Sequence, residues 1–192
     1  METFDIVISI FLGIGLAAAV GFRVFLPLLI LSLAGYYDVI PLNESWQWAG
    51  SLTAVIVMGI ATLVEIFGYY IPWFDNLLDT IALPLATLAG TAVMVATVAD
   101  LSPVVTWTLA IIAGGGTAAA IKGNTSAARL TSSATTGGIA NPVLSTVETG
   151  TSILMAIVSI FLPIIAFVLV LFLFFVIFRF YKKLRKKRLP RT

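Results

Sequence analysis

The chain contains no cysteine and no histidine. Thiol nucleophiles, disulfides, imidazole bases and the usual zinc and haem ligands are therefore excluded. Of the common acid–base side chains only carboxylates remain in number, and no cofactor or metal is expected. Charge is scarce too: eleven Lys and Arg stand against nine Asp and Glu in 192 residues. The short alternating segments of a transmembrane β-barrel are missing. So is the basic stretch and small-residue cleavage pattern of a signal peptide, since the chain opens METFDIVIS. The first helix is expected to stay in the mature protein.

What remains is mostly hydrocarbon. Sixty per cent of the residues are hydrophobic and the mean hydropathy is +1.10. Several apolar runs reach the roughly 20 residues that cross a bilayer as helix. These features predict an all-α, polytopic membrane protein with about five spans, two of them broken or re-entrant. Residues 1–181 form a single transmembrane domain and residues 182–192 a basic tail.

The net charge of +2 hides an asymmetry. Eight of the eleven basic residues, Arg179, Lys182, Lys183, Arg185, Lys186, Lys187, Arg188 and Arg191, follow the last apolar run. The positive-inside rule puts this tail in the cytoplasm, and an inner-membrane location follows. A juxtamembrane basic cluster also attracts anionic lipid, so membrane lipids are expected partners and nucleic acid is not. Glu2 and Asp5, with no basic neighbour, fit an N-terminus on the opposite side.

Along the chain, residues 6–35 are too long for one straight span and too short for two. They are interrupted by Gly21-Phe22-Arg23 and by Pro27, which predicts helices over 6–20 and 24–34 with a break between. Trp46 and Trp48 suit an interfacial belt, and Tyr69, Tyr70 and Trp73 suit the opposite one. Further spans are predicted over 51–70, over 81–99 between Asp79 and Asp100, over 104–121, and over 153–178. Gly13–Val20 aligns with Gly114–Ile121, and each copy is followed by an Arg. With three spans between them, the copies are expected to cross in opposite directions, giving repeat halves 1–80 and 101–181 in an inverted arrangement.

The segment from Gly114 to Glu148 is the odd one out. It is dense in Gly, Ala, Ser and Thr and holds Lys122 and Arg129, two of the three basic residues outside the tail. Irregular polar backbone survives at membrane depth only inside protein or against a water-filled cavity, so this segment is expected to be the working part. Thr135-Thr136-Gly137-Gly138 offers hydroxyls and free N–H groups. Asn141-Pro142 then reads as a helix start, with Asn141 as N-cap. Beside Lys122 and Arg129, a helix N-terminus suits an anion.

Arg23 is the third such cation. A charge deep in a bilayer costs at least about 2.5–3.5 kcal/mol, so it is usually paired or faces a cavity. Arg23 is expected either to contact an anion or to pair with Glu65, which could alternatively carry a proton or cation. Asp75 and Asp79, spaced i, i+4 after Pro72, share one helix face. They read as a solvated helix start or as a cation site. Glu148 joins Glu65, Asp75 and Asp79 as a coupling or ion-pair candidate.

These residues together resemble a family of small bacterial integral membrane proteins catalogued only as a domain of unknown function. The likeness is carried by Gly13, Gly15 to Ala19, Gly21-Phe22-Arg23, Phe25 and Pro27; by Glu65 with Pro72 and Asp75; and by Arg129 with Thr135 to Gly138, Asn141-Pro142, Ser145 and Glu148. Two shorter likenesses are local. Gly137-Gly138 with Asn141-Pro142 and Ser145 is similar to the Asn-Pro loop of aquaporins, which implies a water or small-solute channel. Arg23, Phe25 and Pro27, followed by Ala34-Gly35, resemble the re-entrant Arg/Pro motif of DedA membrane proteins, which implies transfer of a lipid phosphate.

The leading expectation is a small inner-membrane transporter or flippase-like protein, not an enzyme. It would bind an anionic small molecule or lipid phosphate at Arg23, Lys122, Arg129, Thr135, Thr136, Gly137, Gly138 and Asn141. The alternatives are a passive small-solute channel formed by an oligomer, or a non-transporting scaffold whose Gly/Ala faces bind other helices. Ala17-x-x-x-Gly21 has the small-residue spacing that supports helix contact, and a homo-oligomer is expected.

Overall fold

The computed structural model describes residues 3–99 and 101–188, without the side chains of residues 72, 73, 76 and 184–188. Glu2, Asp100, the Trp73 side chain and the end of the tail with Arg191 lie outside that description. The described residues form helices joined by turns: α1 (Thr3–Phe22), α2 (Phe25–Tyr36), a 3₁₀ segment (Glu44–Gly50), α3 (Leu52–Gly68), α4 (Pro72–Thr97), α5 (Pro103–Leu109), a π-helical segment (Ala110–Gly115), α6 (Gly116–Thr136), α7 (Asn141–Phe161) and α8 (Pro163–Arg188). Five stretches are long and apolar enough to span a bilayer, namely 3–22, 77–97, 103–136, 141–161 and 163–183. The 3₁₀ segment and α3, bent by 62° at Ser51, make a sixth candidate.

The first apolar stretch breaks where expected, because nothing can continue the helix there. Pro27 has no N–H to return to the carbonyl of Arg23. The exposed N–H groups of Val24 and Phe25 are instead taken by the Glu65 carboxylate, at 2.7 and 2.9 Å. After α2 the chain has come back to the level of Gly13: Asn43 N–H bonds the carbonyl of Ala96, and a side chain at Gly13 would strike Met94 and Thr97. Arg23 therefore sits at the tip of a re-entrant helical hairpin. Ser51 caps α3 by accepting from Ala54 N–H at 3.1 Å.

Small residues set the packing. Ala17, Ala18 and Ala19 are fully buried, and α4 and the π segment touch backbone to backbone: a Cβ on Gly114 would lie 2.5 Å from the Gly90 carbonyl. Ala118 faces Gly90, and Gly21 faces Ile121 and the Ala118 carbonyl. The spacing read as an oligomer contact is thus filled within the protomer.

Several boundaries differ from expectation. The segment 104–121 is not a span of its own: α5, the π segment and α6 run on as one 34-residue rod over Pro103–Thr136. The polar stretch after Gly114 is helical up to Thr136, and residues 137–140 form the turn to α7, where Gly137 (φ 63°) and Gly138 (φ 85°) take a left-handed conformation that glycine alone adopts freely. The last apolar run is two helices, broken at Leu162 with Pro163 opening α8. Phe11 of α1 stacks on Phe167 of α8 at 4.2 Å, while most of α8 stays exposed as a lipid-facing helix does.

The two Gly/Ala segments run in the same direction, not in opposite ones. Ser9 and Gly13 of α1 meet Ala99 and Met94 of α4, so α1 and α4 are antiparallel. Gly114 meets Met94 and Gly90, and Ala118 meets Gly90, so α6 is antiparallel to α4 as well. An inverted repeat built on these segments is therefore ruled out. Their likeness reflects two parallel helices fitted to one flank each of α4.

Candidate functional site

One helical turn beyond this seam, every basic residue outside the tail is buried in one cluster. Arg23 is 0% exposed, Lys122 0% and Arg129 1%. Lys122 and Arg129 are seven residues apart on α6, two turns of one face. Arg23 reaches them from the hairpin tip.

Arg129 is held by two carboxylates. Its Nε and Nη2 donate to the two oxygens of Glu148 at 3.1 and 2.5 Å, and its Nη1 donates to Asp75 at 2.8 Å. Arg23 donates from Nε to the Thr149 hydroxyl at 3.1 Å, and from Nη2 to the Ser145 carbonyl at 2.9 Å and to the Ser145 hydroxyl. Its Nη2 lies 4.0 Å from Glu148. Arg23 Nη1 is buried without a partner.

Tyr69 is the common surface of the three cations. Both guanidinium carbons lie 4.2 Å from its ring centroid and Lys122 Nζ lies 5.4 Å away. Each such contact contributes about 2 kcal/mol where desolvated. Lys122 also donates to the Tyr69 hydroxyl, which donates to Asp79, both at 3.3 Å. Tyr69 was expected in an interfacial belt, but it is only 3% exposed. Its signal was drowned by Tyr70 and Trp73, which follow it.

Other expectations change with it. Asp75 is buried and ion-paired, not a solvated helix start. Glu65 forms no ion pair within 4 Å with Arg23, because both its oxygens accept from the α2 N-terminus. Asn141 does not cap α7: the cap position is Ala140, with no side-chain bond. Asn141 Nδ2 donates instead to Asp75 and to Ser133, each at 3.1 Å. Its Oδ1 is buried without a partner. Thr135 and Thr136 turn their hydroxyls back to the carbonyls of Thr131 and Ser132 on their own helix. Ser145 and Thr149 hold Arg23 although neither was singled out as a site residue.

A cleft of about 460 Å³ opens beside this cluster, lined by Tyr69, Tyr70, Asp75, Ser133, Gly137, Gly138, Ile139, Asn141 and Pro142. A second, apolar pocket of about 120 Å³ lies among Val24, Phe25, Glu65, Leu78, Ile81, Ala82 and Leu85. Tyr69 borders both. Among the described residues no group of three carboxylates is gathered as a metal site needs.

The helices long and apolar enough to span a bilayer define a multi-pass helical membrane protein, and three buried cations among carboxylates give it a buried charge network. The chain belongs to the family described as Domain of unknown function (DUF4126), whose model matches residues 10–183. No curated protein and no solved structure matches the chain. The short likenesses to aquaporins and DedA proteins gain no support from these comparisons.

Proposed function

We propose that the protein is a small inner-membrane transporter, its basic tail in the cytoplasm, that takes an oxyanion at the Arg23–Arg129 pair. The observation that carries this reading is the convergence of two buried guanidinium groups on one carboxylate and one aromatic ring beside a polar cleft. Ionisable groups buried among spanning helices are costly, and they mark substrate and ion pathways. A guanidinium fork matches two oxygens of a carboxylate or phosphate, and Arg23 keeps one buried N–H donor group with no partner.

The Ala17–Gly21 face is filled by Ile121 and Ala118 of the same chain, which takes that surface away from the scaffold reading. The test is uptake into proteoliposomes of labelled phosphate, sulfate and a small dicarboxylate, with a fluorescent phosphatidate to follow lipid transfer. Saturable movement of one of these, at least tenfold slower in Arg23→Ala, is expected. Non-saturating flux indifferent to Arg23 would make the protein a channel. Folded protein that moves none of the four would end the transport reading.

A further inference from the structure

We infer that Glu148 is an internal stand-in for the transported anion, and that it leaves the arginines by taking one proton for each anion bound. This rests on the transport reading above and specifies its coupling. The Glu148 carboxylate sits where the ligand belongs. It takes the Arg129 fork through both oxygens and lies 4.0 Å from Arg23 Nη2. A bidentate carboxylate or phosphate would use the same donors.

The cleft itself does not present bare cations. Its polar lining is Asp75, Asn141, Ser133 and the two tyrosines, so an anion entering there reaches a guanidinium only after a carboxylate makes way. Charge balance says how. Arg23, Lys122 and Arg129 are buried with Glu65, Asp75 and Glu148, three basic groups against three acidic ones, and Asp79 is half-buried beside them. Adding a monoanion to this balanced buried set would leave an uncompensated negative charge in a low-dielectric site. If Glu148 is protonated from water in the cleft as the anion enters, the total is the same before and after. The proton then travels with the anion and returns to water when Glu148 reclaims the arginines.

Arg23 from the hairpin tip, Arg129 and Lys122 from α6 and Asp79 from α4 act on Glu148 directly, while Asp75 of α4, Glu65 of α3 and Tyr69 at its end face the two arginines. α2 brings no charged side chain, and the described charges of α8, from Arg179 onward, are exposed.

The experiment is equilibrium binding to the purified full chain between pH 5 and 8. Dimethyl phosphate serves as the free probe, and vesicles containing phosphatidylglycerol serve as the lipid-borne one. Both are phosphodiesters whose single charge is constant over this range. In the wild type, the binding arm that responds should tighten by up to about tenfold for each unit fall in pH, the limit for one linked proton. Glu148→Gln should bind at pH 8 as tightly as the wild type binds at its lowest pH, with no pH dependence. Response to dimethyl phosphate identifies a free anion as sufficient; response to the vesicles alone identifies a lipid headgroup. Binding that is flat with pH in the wild type but lost in Arg23→Ala overturns the proton link while leaving the anion site in place. Absence of binding in both arms at every pH overturns both. If Glu148→Gln does not fold, the wild-type pH series alone decides.

Discussion

The same helices build two neighbouring regions of opposite character. Up to Gly21 and Ile121, α1, α4 and α6 meet through Gly and Ala, with backbones in contact and no polar side chain between Gly90 and Gly114. From Arg23 and Lys122 onward, the space between α1, α6 and α7 holds charged side chains. The contrast shows how a 192-residue chain can bury six charged side chains at all. Dispersion between closely approaching backbones drives helix association in lipid, while a buried ion pair is at best neutral against apolar packing. The seam supplies the cohesion, and the cluster is retained for some purpose other than stability.

That contrast can be broken most severely at Arg129. Arg129→Ala leaves Asp75 buried without an ion pair and Glu148 with only the 4.0 Å contact to Arg23, and should destabilise the protein by about 3–5 kcal/mol. Adding Glu148→Gln and Asp75→Asn to Arg129→Ala should recover most of that loss in thermal unfolding without restoring the anion uptake proposed above. No recovery would show that the cluster is structural after all. On the seam side, Gly114→Leu forces a side chain against the Gly90 carbonyl, which cannot move aside as a flexible side chain would. A loss of about 1–3 kcal/mol or more is expected, with hydrogen exchange rising along α4 and α6.

A smaller effect is expected at the hairpin. Glu65→Gln keeps one acceptor for the α2 N-terminus and loses the charge, so about 1–2 kcal/mol should go. Faster exchange at the amides of Val24 and Phe25, with α4 and α6 unaltered, would be its signature. The least effect belongs to Tyr69→Phe. The ring under both guanidinium groups remains and only the hydroxyl link between Lys122 and Asp79 is lost, a change of about 1 kcal/mol. If Tyr69→Phe proves as damaging as Tyr69→Leu, the ring is not what holds the arginines.

Much of this was legible in the sequence. Hydrophobic runs of bilayer length declared the fold class, and Arg23 with Pro27 declared the first break, because an isolated charge and a missing N–H leave few alternatives. Other features were not legible, for reasons that lie in three dimensions. Pro163 stands in an unbroken apolar run, where composition cannot separate a helix start from a tolerated mid-helix proline. The Gly, Ser and Thr of α6 have poor helix propensity, and tertiary packing overrides it. Lys122, Arg129, Asp75, Asn141 and Glu148 were visible as candidates, but their pairing depends on α4, α6 and α7 meeting, which no local spacing encodes. Tyr69 was hidden by its neighbours.

The π segment Ala110–Gly115 has a consequence for the whole rod that follows it. A π turn takes in more residues than an α turn, so it shifts the angular phase of everything downstream by about the 100° that one residue occupies on an α-helix. Before it, Val104 and Trp107 face outward; after it, Ala118, Lys122 and Arg129 face inward. The aim of the two α6 cations is therefore set a dozen residues upstream, by a stretch that touches none of the charges. Shortening Ala110–Gly115 by one residue would rotate Lys122 and Arg129 off Tyr69 together, with every side chain of the cluster still present.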